Sequence, residues 1–348
     1  MKNIFIQETA SIHKVLELLQ KTGEKCLLVV KKNKVLLGTI TDGDIRRAIL
    51  KKRSTKDSIK DIYNKKSLYL HNTNSYLSEA KNILKQKNIP LIPIINKNKK
   101  IIDYVSNKKR NKMSNKKINT EVIIMAGGEG TRLRPLTNIL PKPLIPLNNK
   151  TVIESIIEHF TNFNINKFII SINYKSDLIK SFFKELQPNY KFKFIQEKKP
   201  LGTAGSLGYI DPAQKKDYII TNCDTLIDFD CADFFDFHKK NKNDITILVS
   251  SKQFKVPYGV CKINNKGNLI NISEKPSEHY LVNTGIYIVN NSVLKFVKKE
   301  KYLDFDELIM IAKKNKKKIS IFPVSENSWF DTGQWDEYLK AKKNYDKW

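Results

Sequence analysis

Met125-Ala126-Gly127-Gly128-Glu129-Gly130-Thr131-Arg132-Leu133-Arg134-Pro135-Leu136-Thr137 is the stretch whose reading decides the fold. The apolar run Val122-Ile123-Ile124-Met125 feeds directly into the glycines, and a helical pattern resumes near Val152. This order reads as a buried strand ending in a loop whose backbone can approach a ligand closely. Successive glycine N–H groups make a concave nest for phosphate oxygens, and Arg132 adds a fixed positive charge. No Gly-Lys-Ser/Thr closes the loop, so it is not a P-loop. Leu133 stands where a dinucleotide fingerprint needs its third glycine. For the glycines alone, a plain turn between strand and helix is the alternative.

Pro141-Lys142-Pro143-Leu144 follows at short range. The two motifs together resemble the signature of the sugar-1-phosphate nucleotidyltransferases. The resemblance implies that Met125, Ala126, Gly127, Gly128, Gly130, Thr131 and Arg132 wrap the triphosphate of an NTP. It implies that Lys142 contacts phosphate as well.

Downstream, apolar runs at 122–125, 168–172, 218–221, 245–249 and 286–289 predict strands. Helical patterns near 152–160, 176–185 and 336–343 alternate with them. Such alternation predicts an α/β fold with a mostly parallel, Rossmann-like sheet covered on both faces. Ligands then bind at the carboxyl ends of the strands, where the glycine loop lies.

Other pieces fall in the same order as in the resembled family, over residues 120–335. Gln196-Glu197 precedes Leu201-Gly202-Thr203-Ala204-Gly205, where Gly202 and Thr203 would lie against the nucleobase. A helix start with Thr203 near its N-cap explains that stretch equally well. The wording Leu-Gly-Thr-Ala-Gly looks like the guanylyltransferase branch. A buried strand ends at Asn222-Cys223-Asp224, and a second aspartate arrives in Trp329-Phe330-Asp331-Thr332-Gly333. Asp224 and Asp331 are the expected Mg²⁺ ligands, since this ion takes one or two carboxylates plus phosphate and water. For Asp331, capping the last helix is the competing role. Gly259, Glu274, Lys275, Asn283 and Thr284 are the expected sugar-phosphate contacts, with Lys275 anchoring the 1-phosphate.

The chemistry so implied is nucleotidyl transfer. A phosphate monoester has a second pKa of about 6 and is already nucleophilic near neutrality, so no general base is needed. Arg132 would stabilise the leaving pyrophosphate, and Lys142 the α-phosphate or its neighbours.

Residues 1–113 hold an internal repeat. A shift of 65 residues superposes 15–47 on 80–112: Leu27 meets Ile92, Asn33 meets Asn98, Ile40 meets Val105 and Thr41 meets Ser106. The copies, about 1–55 and 56–113, each read helix, strand, turn, strand, charged helix, and two such units can share one core. The run Thr39-Ile40-Thr41-Asp42-Gly43-Asp44 resembles a CBS domain, and the doubled unit a CBS pair. That resemblance implies an adenine nucleotide whose ribose is held by Thr41 and Asp44, and a homo-oligomer formed through the pair. Lys109 replaces the aspartate in the second copy, so at most one clean ribose site is expected. A purely structural pair is the alternative. The polar stretch around 114–118 reads as a linker to a transferase domain over 119–348.

Composition sets outer limits. The chain has 348 residues, 40% hydrophobic, with a formal charge of +28. The basic residues are nearly all scattered lysines among asparagines, without a zinc finger, basic zipper or RNP-like motif, so no nucleic-acid partner is expected. No apolar run nears the ~18 residues of a membrane span, and no signal-peptide core opens the chain. The four dispersed cysteines fit reduced thiols in a cytoplasmic protein.

A CBS pair joined to this transferase is similar to the glucosamine-1-phosphate guanylyltransferases of bacterial legionaminic acid biosynthesis. GTP and glucosamine 1-phosphate are the substrates so implied. A mannose-1-phosphate guanylyltransferase or another NDP-sugar pyrophosphorylase is the near alternative. A non-catalytic nucleotide sensor with the same fold is the alternative from another class.

Overall fold

The computed structural model describes residues 4–73, 76–87, 89–106, 118–214, 216–324 and 328–344. Most of the linker expected at 114–118 lies outside them, as does Lys109 of the second repeat. The chain divides into two compact units. One gathers the described parts of Met1–Arg110, Ser251–Leu281 and Pro323–Asn327; the other gathers Asn111–Ser250, Val282–Phe322 and Ser328–Trp348.

The first unit carries the repeat in its backbone. Phe5–Gln7 runs parallel to Cys26–Val30, which pairs antiparallel with Leu36–Thr41. Leu70–His71, Leu91–Ile95 and Ile101–Ser106 repeat the same order and directions. Leu91 follows Cys26 by 65 positions, and Ile101 follows Leu36 by the same distance. Even the register irregularity recurs, at Val29/Val30 and at Ile94/Ile95. An isolated bridge joins Val35 to Lys100, again 65 apart, as a local two-fold axis requires. The helix Ile12–Thr22 is fixed by Ser11, which accepts from Lys14 N, and by Gly23 at φ 65°. Its buried Ile12, Val15 and Leu19 join Leu27, Val29, Leu91, Ile95 and Ile101, so the two copies share a core.

The same unit includes the hairpin Val260–Ile263 with Leu269–Ser273. No strand was expected there, because its residues are largely exposed and make no buried apolar run.

The second unit holds most of a seven-stranded sheet. Its order is Lys191–Gln196, Lys167–Ile172, Glu121–Ala126, Asp217–Asn222, Ser277–Asn290, Ile245–Lys255 and Ile319–Val324. The first four run parallel, and Ser277–Asn290 is antiparallel to Asp217–Asn222. Glu121–Ala126 has a parallel neighbour on each side, which is why Val122-Ile123-Ile124 is apolar throughout and wholly buried. The α/β reading holds, and the predicted strands and helices are all present. Two strands of this sheet escaped the reading, Lys191–Gln196 and Ile319–Val324, both at its edges. Lys191–Gln196 alternates lysine with phenylalanine because only one face is covered. The helix Val152–Thr161 starts in a capping box between Thr151 and Glu154 and buries Val152, Ile153, Ile156, Ile157 and Phe160. Among the described residues, no helix is long and apolar enough to cross a membrane.

Asp217, at the amino end of the strand that leads to Asp224, anchors this unit from below. Asn290 Nδ2 donates to Asp217 Oδ1 at 2.6 Å, Lys239 pairs with Oδ2, and His238 Nε2 lies 3.5 Å from Oδ1. His238 Nδ1 in turn meets Thr246 Oγ1 at 2.8 Å. Burial alone would raise the Asp217 carboxyl, but the bonds from His238, Lys239 and Asn290 outweigh it and hold it down at about 2. Asp217→Ala should therefore cost about 3–5 kcal/mol, measured by denaturant unfolding. The gap between wild type and variant should be complete above the ordinary carboxyl value of 3.8 and shrink as pH falls toward about 2.

Candidate active site

The central strand Glu121–Ala126 delivers the glycine loop. Gly130 sits at φ 67°, a left-handed conformation that starts the tight turn Thr131–Leu133. Leu133 is buried and pins that turn, while Arg132 beside it is exposed and has no partner among the described residues. Thr137 Oγ1 donates to Gly130 O at 2.9 Å, and Arg134 pairs with Glu129 at 3.2 Å. The segment after Lys167–Ile172 clamps the far side. Tyr174 N donates to Gly127 O at 3.3 Å, and Lys175 Nζ to Asn138 O and Ile139 O at 2.6 and 2.9 Å. Above Gly128 the space is open: an added Cβ would meet nothing within 4 Å.

Lys142 stands in the turn Lys142–Leu144, whose Pro143 and Leu144 are buried and fix the backbone. Its side chain lies along the loop, with Cβ 3.1 Å from where a Gly130 Cβ would be. The ammonium pairs with Asp224, the two side chains being 12% and 11% exposed. Burial by itself lowers the Lys142 pKa, but the charge and hydrogen bond of Asp224, together with smaller contributions from Cys223 and Asp331, outweigh that and leave it raised. Lys142 is a permanent cation here.

Asp224 and Asp331 are brought together by the backbone. Thr225–Ile227 pairs antiparallel with Trp329–Asp331, placing Thr225 opposite Asp331. Thr332 then donates through N and Oγ1 to Asp224 O at 2.9 and 2.8 Å. Cys223 N donates to Met125 O at 3.2 Å, tying this turn to the end of the central strand. Gly333 measures the convergence. A Cβ built on it would lie 2.5 Å from Asp224 Oδ2, 2.7 Å from Lys142 Nζ and 2.9 Å from Asp331 Oδ1. Asp331 Oδ1 also accepts from Gly333 N at 2.9 Å, and Oδ2 from Gln334 Nε2 at 3.1 Å, so it turns the chain into the last helix as well. Cys223 next door is no nucleophile: burial first, then the Asp224 charge, pushes its thiol up to about 12.

The donor set suits a hard divalent cation. Two carboxylates meet at one point, and no group of three or more His, Cys, Asp or Glu occurs among the described residues. Remaining ligands would come from phosphate and water, the pattern that Mg²⁺ accepts.

Glu197 was quoted in the sequence without a role, and the structure gives it a place. It is buried, and its two carboxylate oxygens lie 3.0 and 3.1 Å from a would-be Cβ on Gly127. It accepts from Ser171 Oγ at 2.6 Å and Leu201 N at 3.3 Å. Burial raises its pKa despite those two bonds. The available signal was a charged residue just past an apolar strand, which by itself marks only a strand end.

Other expected residues land differently. Thr203 caps a helix, but not the one that follows it. Its N and Oγ1 donate to Asp304 Oδ1 at 3.0 and 3.2 Å, and Phe305 N donates to Thr203 Oγ1 at 2.8 Å. It thus completes the start of Phe305–Lys314, while a short turn, Gly205–Tyr209, follows it in sequence. Gly202, at φ 76°, lets Leu303 O approach to 2.6 Å from its missing Cβ. Thr284 is buried, donates its hydroxyl to Leu248 O at 2.8 Å and accepts at its carbonyl from Thr225 Oγ1 at 2.9 Å. Asn283 donates to Tyr287 Oη at 2.7 Å. Gly259, Glu274 and Lys275 belong to the first unit. There Glu274 Oε2 comes within 3.1 Å of a would-be Gly259 Cβ, and Lys275 Nζ is 3.7 Å from Glu274 Oε1.

Thr41 and Asp44 meet in a capping box on Asp42–Leu50. Asp44 Oδ2 accepts from Thr41 N at 2.8 Å and Oγ1 at 2.7 Å, and Oδ1 pairs with Arg47. Two donors on Oδ2 and one on Oδ1 leave one lone-pair position of the carboxylate for a further donor.

Residues 121–347 match the Nucleotidyl transferase family model, about two thirds of the chain. The chain belongs to the nucleotidyl transferase family. Residues 1–51 match the CBS domain. The transferase part is 33% identical over 231 residues to a mannose-1-phosphate guanyltransferase of Aspergillus oryzae, a match spanning 64% of this chain and 63% of that protein. A protein of the same name from Debaryomyces hansenii is also 33% identical, over 64% of each chain. This chain therefore spans a little under two thirds of these relatives. Among solved structures, HddC from Yersinia pseudotuberculosis, also determined in complex with GMP-PN, superposes with a TM-score of 0.50. The uncomplexed structure is 28% identical and covers 65% of this chain and 99% of that one; the complex is 27% identical over the same shares.

Gly333→Ala is a sharp probe of this site. The atoms its Cβ would meet are the tips of Asp224, Lys142 and Asp331, which can yield, so the fold should survive. Displacing them should lower turnover by about a hundredfold, while the unfolding midpoint moves by less than about 4 °C. Steady-state kinetics beside a thermal melt checks both.

Proposed function

We propose that this chain transfers GMP from GTP to a sugar 1-phosphate, giving a GDP-sugar and pyrophosphate. The observation that carries the reading is the convergence of Asp224, Asp331 and Lys142 on one point, with the stem of Lys142 lying along the glycine loop. An oxygen of the sugar phosphate attacks the α-phosphorus, and the bond from that phosphorus to the β-phosphate bridge breaks. The attacking phosphate is ionised near neutrality, since its second pKa is about 6, so the protein needs to position and neutralise rather than to abstract a proton. Arg132, exposed and without a partner among the described residues, would meet the leaving pyrophosphate. Lys142 would meet the α-phosphate or its neighbours. Mg²⁺ bound at Asp224 and Asp331 would supply further charge neutralisation between the two substrates.

The guanine preference rests on the guanyltransferase names of the relatives and on Glu197. Guanine presents N–H donors that a carboxylate accepts, and Glu197 lies beside Gly127. For the sugar, the CBS-plus-transferase arrangement favours glucosamine 1-phosphate and a place in legionaminic acid synthesis. The names of the relatives favour mannose 1-phosphate. Roles for Gly259, Glu274, Lys275 and Asn283 toward that sugar phosphate belong to the proposal. So do an adenine nucleotide at Thr41 and Asp44, self-association through the CBS pair, and a cytoplasmic location.

The test is to incubate the purified chain with Mg²⁺, each NTP in turn and a panel of sugar 1-phosphates, and to follow pyrophosphate. GTP with an amino or hydroxyl hexose 1-phosphate should be the productive pair, and chelation of the cation should abolish release. Asp224→Asn and Lys142→Ala should each lower turnover by at least about a hundredfold with the fold intact. Release with no pair would favour a non-catalytic sensor, and unchanged rates in the variants would refute the assignments.

A further inference from the structure

We propose that Lys142 is an internal cation: in the nucleotide-free enzyme its ammonium sits on Asp224, beside Asp331, and keeps a divalent ion out until a triphosphate draws it away. The inference rests on reading these two carboxylates as a cation site. Three features carry it.

The first is position. Lys142 Nζ, Asp224 Oδ2 and Asp331 Oδ1 all lie within 2.9 Å of the single point above Gly333. The ammonium is therefore on Asp224, with Asp331 across the same point, rather than out in the phosphate loop. Both aspartates act on it electrostatically, Asp224 more strongly.

The second is charge. Two carboxylates face one ammonium, so half of the cluster's negative charge is already neutralised without an ion. An arriving Mg²⁺ would meet a like charge a few ångströms away in a half-buried site, where such repulsion is not screened as it is in water.

The third is reach. The backbone of Lys142 is immobilised by buried Pro143 and Leu144, but its stem already lies against Gly130, with Cβ and Cδ 3.1 and 3.4 Å from the would-be Cβ there. Rotation about side-chain bonds suffices to carry the head from the carboxylates to the loop. A triphosphate seated on the Gly127–Gly130 amides would offer the ammonium a stronger anion and free the carboxylates for the metal it brings. Metal and nucleotide then enter together, and free cation is not sequestered by the resting enzyme.

Mn²⁺ binding to the nucleotide-free full chain tests this, with unbound ion followed by its paramagnetic resonance. Wild type should bind weakly. Lys142→Met should bind at least tenfold more tightly, and Lys142→Gln should show the same direction of change should the first variant fold poorly. Adding Asp224→Asn to either should return binding to the weak level. Equal or weaker Mn²⁺ binding in the folded Lys142 variants overturns the proposal while leaving a cation-dependent transferase standing. Product formation that needs no divalent ion overturns the cation site and this inference with it.

Discussion

The buried pairing of Lys142 with Asp224, next to Asp331, is the constraint that orders the site. Two carboxylates held at the ends of paired strands repel each other and cost desolvation, so a cation must be built in or supplied. Each neighbouring feature serves that requirement. Pro143 and Leu144 fix the backbone beneath the lysine, Thr332 fastens the Asp224 carbonyl, and Gly333 leaves out the one carbon that would fill the gap.

The strand Asp217–Asn222 and the turn after it carry a carboxylate at each end, and the contrast between them is instructive. Asp217 is met by Asn290, Lys239 and His238, and burial around it is compensated by protein groups alone. Such a carboxylate stabilises the sheet and offers nothing to a ligand. Asp224 is matched by a single lysine and shares its surroundings with a second carboxylate. An acid that the fold leaves partly uncompensated is one that a cation and a polyanion can complete.

Much of this was legible before any coordinates. The 65-residue repeat was readable because both copies bury the same strand positions, and the structure returns it down to the bridge between Val35 and Lys100. The buried strand and its glycine loop announce themselves because a strand covered on both faces must be apolar, and the loop needs a left-handed turn at Gly130 and room for Glu197 at Gly127. Asp224 and Asp331 were assigned together through resemblance; their nearness depends on the Thr225–Asp331 register, which no local pattern encodes. Glu197 and the partner of Thr203 were hidden for the same reason. Thr203 caps a helix that starts about a hundred residues later, and a contact of that range leaves no trace in spacing. The edge strand Lys191–Gln196 was missed because its alternation of lysine and phenylalanine yields no continuous apolar run.

The most direct measurement is an anomalous-scattering map from crystals grown with Mn²⁺ and a non-hydrolysable GTP analogue. The account predicts one strong manganese peak within coordination distance of both Asp224 and Asp331, in contact with triphosphate oxygens, with Lys142 turned from Asp224 to phosphate. A peak that touches neither carboxylate, or a triphosphate seated away from Gly127–Arg132, would contradict it.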